Sequence, residues 1–380
     1  MWRTIALAVL ALSGCTSQSP RDTAPRAPYP SSRVVRGIDW DFATLETHRQ
    51  AHGSDLWPCA WAVDDALYCA WGDGGGFDGD DDHIGRVSLG FARVIGMPSA
   101  ADPAAVVGRN VWGALPYAET SATFGGKVGS LTAVGGVLYA HGGFWTSDVT
   151  RDPAQRSGRG PLSTVAWSGD GAHSWHLAPW SSRAPLGAFL DRGRDSPADI
   201  PPYVLLYTMH AGDDRHLYLE RTRPARLLED PAAPGVREFF AGLTFWRRAP
   251  RWSADPRAAR PVFEDAHHVE GPTVTLDRGL GRYLLTAGHY ASGNDDDSSA
   301  GQVGLFEAPN PWGPWRTIGY YEQWGGAALN RETHGDFLGL RIPSKWISSE
   351  GTELWAVFSG PRSFDAFNLV RARLIVRGER

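Results

Sequence analysis

Five similar units, each centred on an aromatic residue within a short strand-like run, constrain the fold of this chain more than any other feature. Each run is bounded by Gly, Pro or Asp, and a polar loop and another strand-like run follow it. The aromatic anchors lie 71, 64, 80 and 72 residues apart, so the units have similar lengths. Chains that repeat one such unit bury its apolar face against the neighbouring units. The anchors are Tyr68 (DALYCAWGD), Tyr139 (GVLYAHGG), Tyr203 (PYVLLYTMH), Tyr283 (GRYLLTAGHY) and Trp355 (TELWAVFSG).

Repeated short strands with almost no amphipathic helical windows indicate an all-β protein. Five units of about 70 residues with four strands each predict a five-bladed β-propeller with antiparallel blades, spanning residues 36–380. A β-sandwich with long loops is the alternative. Within the second unit, the segment from Ser168 to Trp175 (SGDGAHSW) resembles the Asp box of sialidases and related propellers, with Ala172 where Gly is usual. In those proteins the motif is structural, so we use it as evidence for the fold alone.

The first fourteen residues have the pattern of an export signal. Arg3 is followed by an apolar run over residues 5–12, which is far shorter than a membrane-spanning helix requires. Leu12-Ser13-Gly14-Cys15 then resembles the lipobox of bacterial lipoproteins, in which the cysteine carries the lipid. An ordinary secretory signal with a chance cysteine is the alternative. We therefore predict a signal peptide over residues 1–14, a lipidated Cys15 with a flexible tether to residue 35, and attachment to a membrane outside the cytoplasm, periplasmic or at the cell surface.

Two further cysteines, Cys59 and Cys69, flank Asp64 almost symmetrically. A hairpin that turns at residues 63–65 would place them directly opposite each other, within disulfide range. The export compartment is oxidising, which favours the disulfide over two buried thiols. The mature chain has a net charge of −6, which argues against nucleic-acid binding, and we expect a monomer.

Ionisable residues recur where the innermost strands of the units are expected to begin. Counting 12 to 14 residues back from each anchor reaches these positions, three of which hold acids. Strands that start at one height around a common axis would bring these side chains together. The positions are Asp55, Lys127, Asp191, Glu270 and the pair Arg341 and Ile342.

This arrangement resembles that of five-bladed glycosidases of the arabinanase, xylosidase and invertase type. Those enzymes carry a base in the first blade, a pKa-modulating Asp in or near the third, and a general acid Glu in the fourth, often within a tripeptide such as Glu270-Gly271-Pro272. Short segments also look like uncharacterised secreted bacterial propellers of that group. The resemblance implies Asp55 as base, Asp191 as modulator, with Asp195 or Asp199 as substitutes, and Glu270 as acid. Lys127 departs from the plain pattern.

The loops after the second strands are rich in Gly, His, Asp and aromatic residues and should open on the same face. We expect a carbohydrate there, recognised by hydrogen bonds and ring stacking, although ordinary turn chemistry is the alternative for any one loop. The candidate binding residues are Lys127, His141, Trp145, His289 and Arg341.

No cofactor motif occurs, and we expect no catalytic metal. The spacing Asp78-x-Asp80-x-Asp82 suggests structural calcium, but His83 stands where a calcium loop needs Gly. The sequence leaves three functions open: a glycoside hydrolase, a polysaccharide lyase with a His base and cationic partners, and a glycan-binding lipoprotein without catalysis.

Overall fold

The computed structural model consists almost entirely of antiparallel β-strands, which confirms the prediction of an all-β protein. It describes residues 27–79, 84–146, 149–150, 162–182, 187–196, 203–246, 248–289, 301–329, 339–360 and 364–378. Within these residues the only helical elements are α1 (Gly326–Leu329) and 3-10 helices at Phe42–Glu46, Pro103–Ala105, Pro224–Arg226, Pro256–Ala258 and Ser344–Trp346. None of the helices in this part of the chain is long and apolar enough to span a membrane.

The strands form five antiparallel groups that follow one another along the chain. The groups are β3–β7, β8–β11, β12–β17, β18–β21 and, last, β22–β24 with β1 and β2. In chain order the strands are β1 (Val35–Asp41), β2 (Arg49–Gln50), β3 (Cys59–Trp61), β4 (Leu67–Gly72), β5 (Leu89–Gly96), β6 (Val106–Gly113), β7 (Thr120–Ser121), β8 (Gly125–Val134), β9 (Val137–Trp145), β10 (Leu162–Ser168), β11 (His176–Leu177), β12 (Ala188–Asp191), β13 (Val204–Thr208), β14 (His216–Thr222), β15 (Glu238–Leu243), β16 (Pro250–Ser253), β17 (Pro261–Glu264), β18 (Glu270–Asp277), β19 (Arg282–Gly288), β20 (Val303–Ala308), β21 (Arg316–Tyr321), β22 (Leu340–Arg341), β23 (Glu353–Phe358) and β24 (Phe367–Val376).

The first and last strands of the chain belong to the same sheet. β1 pairs antiparallel with β24, from Val35 opposite Val376 to Asp41 opposite Arg371. The third and fourth groups are joined directly, because β12 pairs in parallel with β18. Four of the five aromatic anchors lie on the second strand of their group, and Tyr203 immediately precedes β13.

Five clusters of buried apolar side chains fill the spaces between the strand groups. Each cluster draws residues from two groups that are consecutive, and one cluster joins the first group to the fifth. The groups therefore pack in a closed cyclic order, each burying both of its faces. Representative pairs are Phe91 with Trp175, Tyr139 with Phe189, Tyr207 with Phe306, Leu284 with Leu354, and Trp57 with Phe367.

The Asp-box-like segment forms a side-chain-stabilised turn between β10 and β11. Asp170 Oδ1 accepts hydrogen bonds from the Ser168 hydroxyl and from the backbone N–H of Ser174. Ala172 has a φ of 70°, a left-handed conformation in which Gly would be less strained. The Trp175 ring stacks on Phe91 of the preceding group with ring centroids 3.8 Å apart. The motif thus joins two groups of strands.

The Cys59–Cys69 disulfide is confirmed. The two residues face each other in the β3–β4 pair, and their Cα atoms are 4.1 Å apart. Asp64 Oδ1 accepts a hydrogen bond from the Ala66 N–H within the turn. The hairpin around Asp64 therefore has the predicted symmetry.

The segment before β1 is more ordered than a flexible tether to residue 35. The Ser32 hydroxyl donates to Glu307 Oε1 over 2.6 Å, and the Tyr29 ring lies 5.2 Å from that of Phe263. Tyr29 supplies an aromatic group to a segment otherwise rich in Pro and Ser, and this gives the segment an apolar contact with the strand groups. Residues 1–26, with the predicted signal peptide and Cys15, lie outside the described residues.

Candidate active site

An open cleft lies where the inner strands of the five groups begin. Its volume is about 1070 Å³, in the size range of small-molecule sites. All five strand groups contribute to its walls, and four of its side chains are those that the sequence placed at the inner-strand starts. It is lined by Asp55, Leu56, Asp73, Lys127, Val128, Gly129, Gly187, Met209, Glu270, Gly271, Pro272, Gly288, Gly339 and Arg341.

Asp55 is held in the cleft by backbone pairing and by a strained turn. Its N–H donates to the carbonyl of Gly72 over 2.9 Å, and the Gly72 N–H donates back over 3.0 Å. The next two residues, Leu56 and Trp57, have positive φ values of 72° and 53°. The buried Trp57 ring fixes this turn, because its Nε1 donates to the carbonyl of Ser54. Left-handed non-glycine residues persist where surrounding packing enforces them, often at functional sites.

The Asp55 carboxyl group is destabilised in its ionised form. Burial raises its pKa from 3.8 to about 8, and the positive charge of Lys127 opposes part of this rise. Asp55 Oδ1 is buried and accepts no hydrogen bond from any described residue. A carboxyl group in this state can exchange a proton near neutral pH.

Lys127 and Asp73 form an ion pair beside Asp55. Lys127 Nζ lies 2.7 Å from Asp73 Oδ2, and Arg86 Nη2 lies 3.4 Å from Asp73 Oδ1. Lys127 is the third residue of β8, whereas Asp73 directly follows β4. The pair joins the first and second groups across the floor of the cleft. It also places a cation where it stabilises ionised Asp55.

Glu270 enters the cleft from the fourth group. It is the first residue of β18 and pairs with Gly288 at the end of β19. The register of this pair is irregular between Glu270 and Thr273, and Gly271 has a φ of 50°. The bulge in Glu270-Gly271-Pro272 lets the strand begin with its acid at the cleft.

Arg341 enters the cleft from β22 in the fifth group. Its side chain is buried, and burial lowers its pKa from 12.5 to about 10, while the charge of Asp55 raises it. Asp55 and Arg341 therefore influence each other's charge state. Two cations, Lys127 and Arg341, thus act on the carboxyl group of Asp55.

Asp191 does not line this cleft, which corrects the expected convergence of three acids. It is the last residue of β12, not the first, and its carboxylate accepts hydrogen bonds from the Ser344 N–H and hydroxyl and from the Gly193 N–H. The count of 12 residues assumed a short hairpin, but a long connection separates β12 from β13. Gly187, just before β12, occupies the position beside the cleft.

The other substitutes for Asp191 do not enter the cleft either. Asp195 Oδ1 accepts the N–H of Gly136, and Asp199 lies outside the described residues.

Three residues predicted to bind substrate do not line the cleft. His141 is buried next to it, where its Nδ1 accepts the Gly187 N–H and burial lowers its pKa to about 4. His289 stacks on Tyr320 with ring centroids 3.8 Å apart, and Trp145 ends β9. Side chains near the end of a strand alternate between faces, so proximity in sequence did not fix their direction.

Asp73 and Met209 line the cleft but were not among the predicted site residues. Asp73 belongs to the Gly- and Asp-rich loop after β4, and its position directly after the strand was the available signal. Met209 follows β13 and carries no polar signal at all.

The described residues contain no group of three or more His, Cys, Asp or Glu side chains arranged to hold a metal. In the predicted calcium segment, Asp78 Oδ2 accepts the Asn110 N–H over 2.8 Å. Asp80, Asp82 and His83 lie outside the described residues.

Comparison with protein-family profiles and with curated proteins gives no match. Several solved structures are similar in fold. A candidate hydrolase from Bacteroides ovatus is 13% identical with a TM-score of 0.50, over 89% of this chain and 90% of its own. A GH43_1 enzyme from Xanthomonas citri is 13% identical with a TM-score of 0.46, over 89% of this chain and 94% of its own.

A GH43 β-xylosidase/α-arabinofuranosidase from a compost microbial metagenome is 13% identical with a TM-score of 0.43, over 92% of this chain and 96% of its own. At these identities the likeness concerns the fold, and we take it from the Bacteroides ovatus protein alone.

Proposed function

We propose that this protein hydrolyses glycosidic bonds, with Asp55 and Glu270 as its two catalytic carboxyl groups. The observation that carries the proposal is that these acids, from the first and fourth strand groups, line one open cleft. Glycoside cleavage needs one carboxyl group to protonate the leaving oxygen and another, ionised, to activate water or attack the sugar. The two environments differ, which is how such pairs divide their roles.

The framework of this site is a five-bladed β-propeller in our proposal. Five antiparallel groups pack in cyclic order, and the pairing of β1 with β24 closes the ring. In such a ring the inner strands begin around one axis, so residues at equivalent positions face a common cleft.

Each catalytic step follows from the placement of these residues. Glu270 donates its proton to the oxygen of the departing sugar, while Asp55 accepts a proton from the attacking water or attacks the sugar carbon itself. Lys127 stabilises the anionic form of Asp55, and Asp73 holds Lys127 in position through their ion pair. Arg341 adds a second positive charge and a fork of donors for sugar hydroxyl or carboxylate oxygens.

A panel of glycans offered to the purified protein tests this function. Release of reducing sugar without new near-ultraviolet absorbance supports hydrolysis. New absorbance from an unsaturated uronate would instead establish a lyase, and binding without either product would establish a glycan-binding protein. The cleft favours hydrolysis over a lyase, because His141 and His289, the bases considered for a lyase, do not line it.

Gly72→Ala should lower kcat/KM by about a hundredfold, because misplacing a catalytic group by about 1 Å has effects of that size. A Cβ atom at Gly72 would lie 2.5 Å from Asp55 Oδ1 and 3.1 Å from Lys127 Nζ, so the carboxyl group must move. The control is Gly37→Ala in β1, whose Cβ would meet only Ile375 at 3.6 Å. Steady-state kinetics on a cleaved glycan measure both variants, and equal kcat/KM values would contradict this placement of Asp55.

We also propose that the protein is a lipoprotein anchored through Cys15 to a membrane outside the cytoplasm. The order of Arg3, an apolar run, small residues and Cys15 supports this. Cys15→Ala should move the protein from the membrane fraction to the soluble exported fraction, because no acyl chain can attach. Fractionation with immunodetection measures the shift, with Cys59→Ala as a cysteine control, and unchanged partitioning would refute the anchor.

A further inference from the structure

The two most exposed large hydrophobic residues in the described part of the chain are neighbours. Phe245 and Trp246 are 85% and 90% exposed, and they form the tip of the hairpin between β15 and β16. Their rings pack edge to face with centroids 5.0 Å apart. Two adjacent exposed aromatic side chains form an apolar projection that scattered surface residues do not.

The hairpin holds this projection in place. The Thr244 N–H donates to the carbonyl of Ala249 over 2.8 Å, and the Ala249 N–H donates back to the Thr244 hydroxyl over 3.0 Å. The Arg248 N–H donates to the carbonyl of Thr244. These bonds close the loop, so the aromatic pair is presented by a defined turn.

The surroundings of the aromatic pair are strongly basic. Residues 244–260 contain five arginines and one aspartate, a net charge of +4, although the whole chain has a charge of −5. Arg248, Arg251 and Arg260 are exposed. Aromatic residues beside cations favour the boundary of a bilayer with anionic headgroups, where rings enter the interface and cations meet phosphates.

The N-terminal segment reaches the same region of the molecule. The Tyr29 hydroxyl accepts the Glu264 N–H of β17, and both β17 and β15 pair with β14. Residue 27 therefore lies in the strand group that carries the hairpin tip. The twelve residues between Cys15 and residue 27 can extend over about 40 Å, enough to join this side of the protein to a membrane.

We propose that Phe245 and Trp246 insert into the interfacial region of an anionic lipid bilayer, while the arginines of residues 244–260 contact its headgroups. This contact is separate from the lipid on Cys15 and from the proposed catalysis. It would fix the orientation of the strand groups relative to the membrane. A second copy of the chain is the less favourable occupant, because two tips in contact would bring two segments of +4 charge together.

Vesicle binding tests the proposal with the full chain carrying Cys15→Ser, so that no acyl chain contributes. The probes are phosphatidylcholine vesicles with and without an equal part of phosphatidylglycerol, and cosedimentation gives the partition coefficient. We expect binding to the anionic vesicles, weakened by salt. F245S/W246S should lower the partition coefficient by at least about tenfold, because it removes the buried apolar area.

Two further variants separate the contributions. R248Q/R251Q should weaken binding to anionic vesicles by about tenfold while leaving any binding to neutral vesicles unchanged. Met97→Ser, at a residue 53% exposed beyond β5, is the matched control and should bind like the parent. Circular dichroism should show equal melting temperatures, because the replaced side chains are exposed.

Equal binding by F245S/W246S and its parent, or no binding of the parent to anionic vesicles, would overturn the proposal. Sedimentation equilibrium supplies the last arm. Self-association that F245S/W246S abolishes, without any vesicle binding, would assign the tip to a second copy of the chain instead.

Discussion

Asp55→Asn should abolish turnover and at the same time stabilise the folded protein. The amide cannot accept a proton, so cleavage of every substrate should stop, including aryl glycosides with activated leaving groups. The same change removes a carboxyl group that burial disfavours in its ionised form. Active sites often hold groups whose placement lowers stability.

The stability effect has a definite pH dependence. The folded pKa of Asp55 is about 8, against an ordinary value of 3.8, so the folded state binds its proton more tightly than the unfolded state. The stability from protonated Asp55 is fully present below about pH 4 and is lost as the pH rises through about 8. Because Asn does not titrate, the variant should gain roughly 1–3 kcal/mol in unfolding free energy at pH 8, and less at pH 5.

Denaturant unfolding of parent and variant at pH 5 and pH 8 measures this difference. Asp191→Asn is the matched control, because Asp191 is also buried but accepts hydrogen bonds from Ser344 and Gly193. That variant should be less stable than the parent. An Asp55→Asn protein that still turns over glycans at the parent rate would remove Asp55 from the catalytic pair.

The rate of the parent should follow the same group. If ionised Asp55 is needed, kcat/KM rises with pH through about 8 in the free protein. Lys127→Met should move this rise to higher pH, because the charge of Lys127 lowers the pKa of Asp55.

Glu270→Gln should lower kcat on glycans with poor leaving groups by about a thousandfold. Glutamine keeps the shape of the side chain but cannot donate the proton that the leaving oxygen needs. Aryl glycosides with acidic phenols should be cleaved much faster than natural glycans, because they depart without protonation. Binding affinity for the glycan should stay close to that of the parent.

Kinetics on both substrate classes, with calorimetric binding, distinguish Glu270 from Asp55. Loss of both substrates in Asp55→Asn and of only one in Glu270→Gln would assign base and acid separately. Equal losses on both substrate classes in Glu270→Gln would contradict its role as acid. Glu264→Gln, on exposed β17, supplies a control at a glutamate away from the cleft.

Much of the strand pattern follows from local sequence. The aromatic anchors mark second strands because a large ring fits the interface between two sheets, and the hairpin at Asp64 follows from its turn residues. Asp55, Lys127, Glu270 and Arg341 were placed together by equal offsets, and the cleft contains all four.

The failures of the same reasoning have one physical source. Offsets along a chain measure height on a strand only when the hairpin loops have similar lengths. The long connection after β12 carried Asp191 to the far end of its strand, and the direction of His141 and Trp145 depended on pairing rather than on sequence distance. Asp73 required knowledge of its partner Lys127, which lies 54 positions further along the chain.

The pairing of β1 with β24 joins residues at opposite ends of the sequence, such as Val35 and Val376. Closing the ring therefore requires almost the whole polypeptide to be synthesised and, in an exported protein, translocated. Loop closure over such a distance is entropically costly and slows folding. Until that step, the apolar faces of the first and last groups are exposed together, so a holding chaperone would be most useful at the very end of export. A circular permutant cut between two internal groups would move that final step elsewhere and turn the β1–β24 contact into a local one.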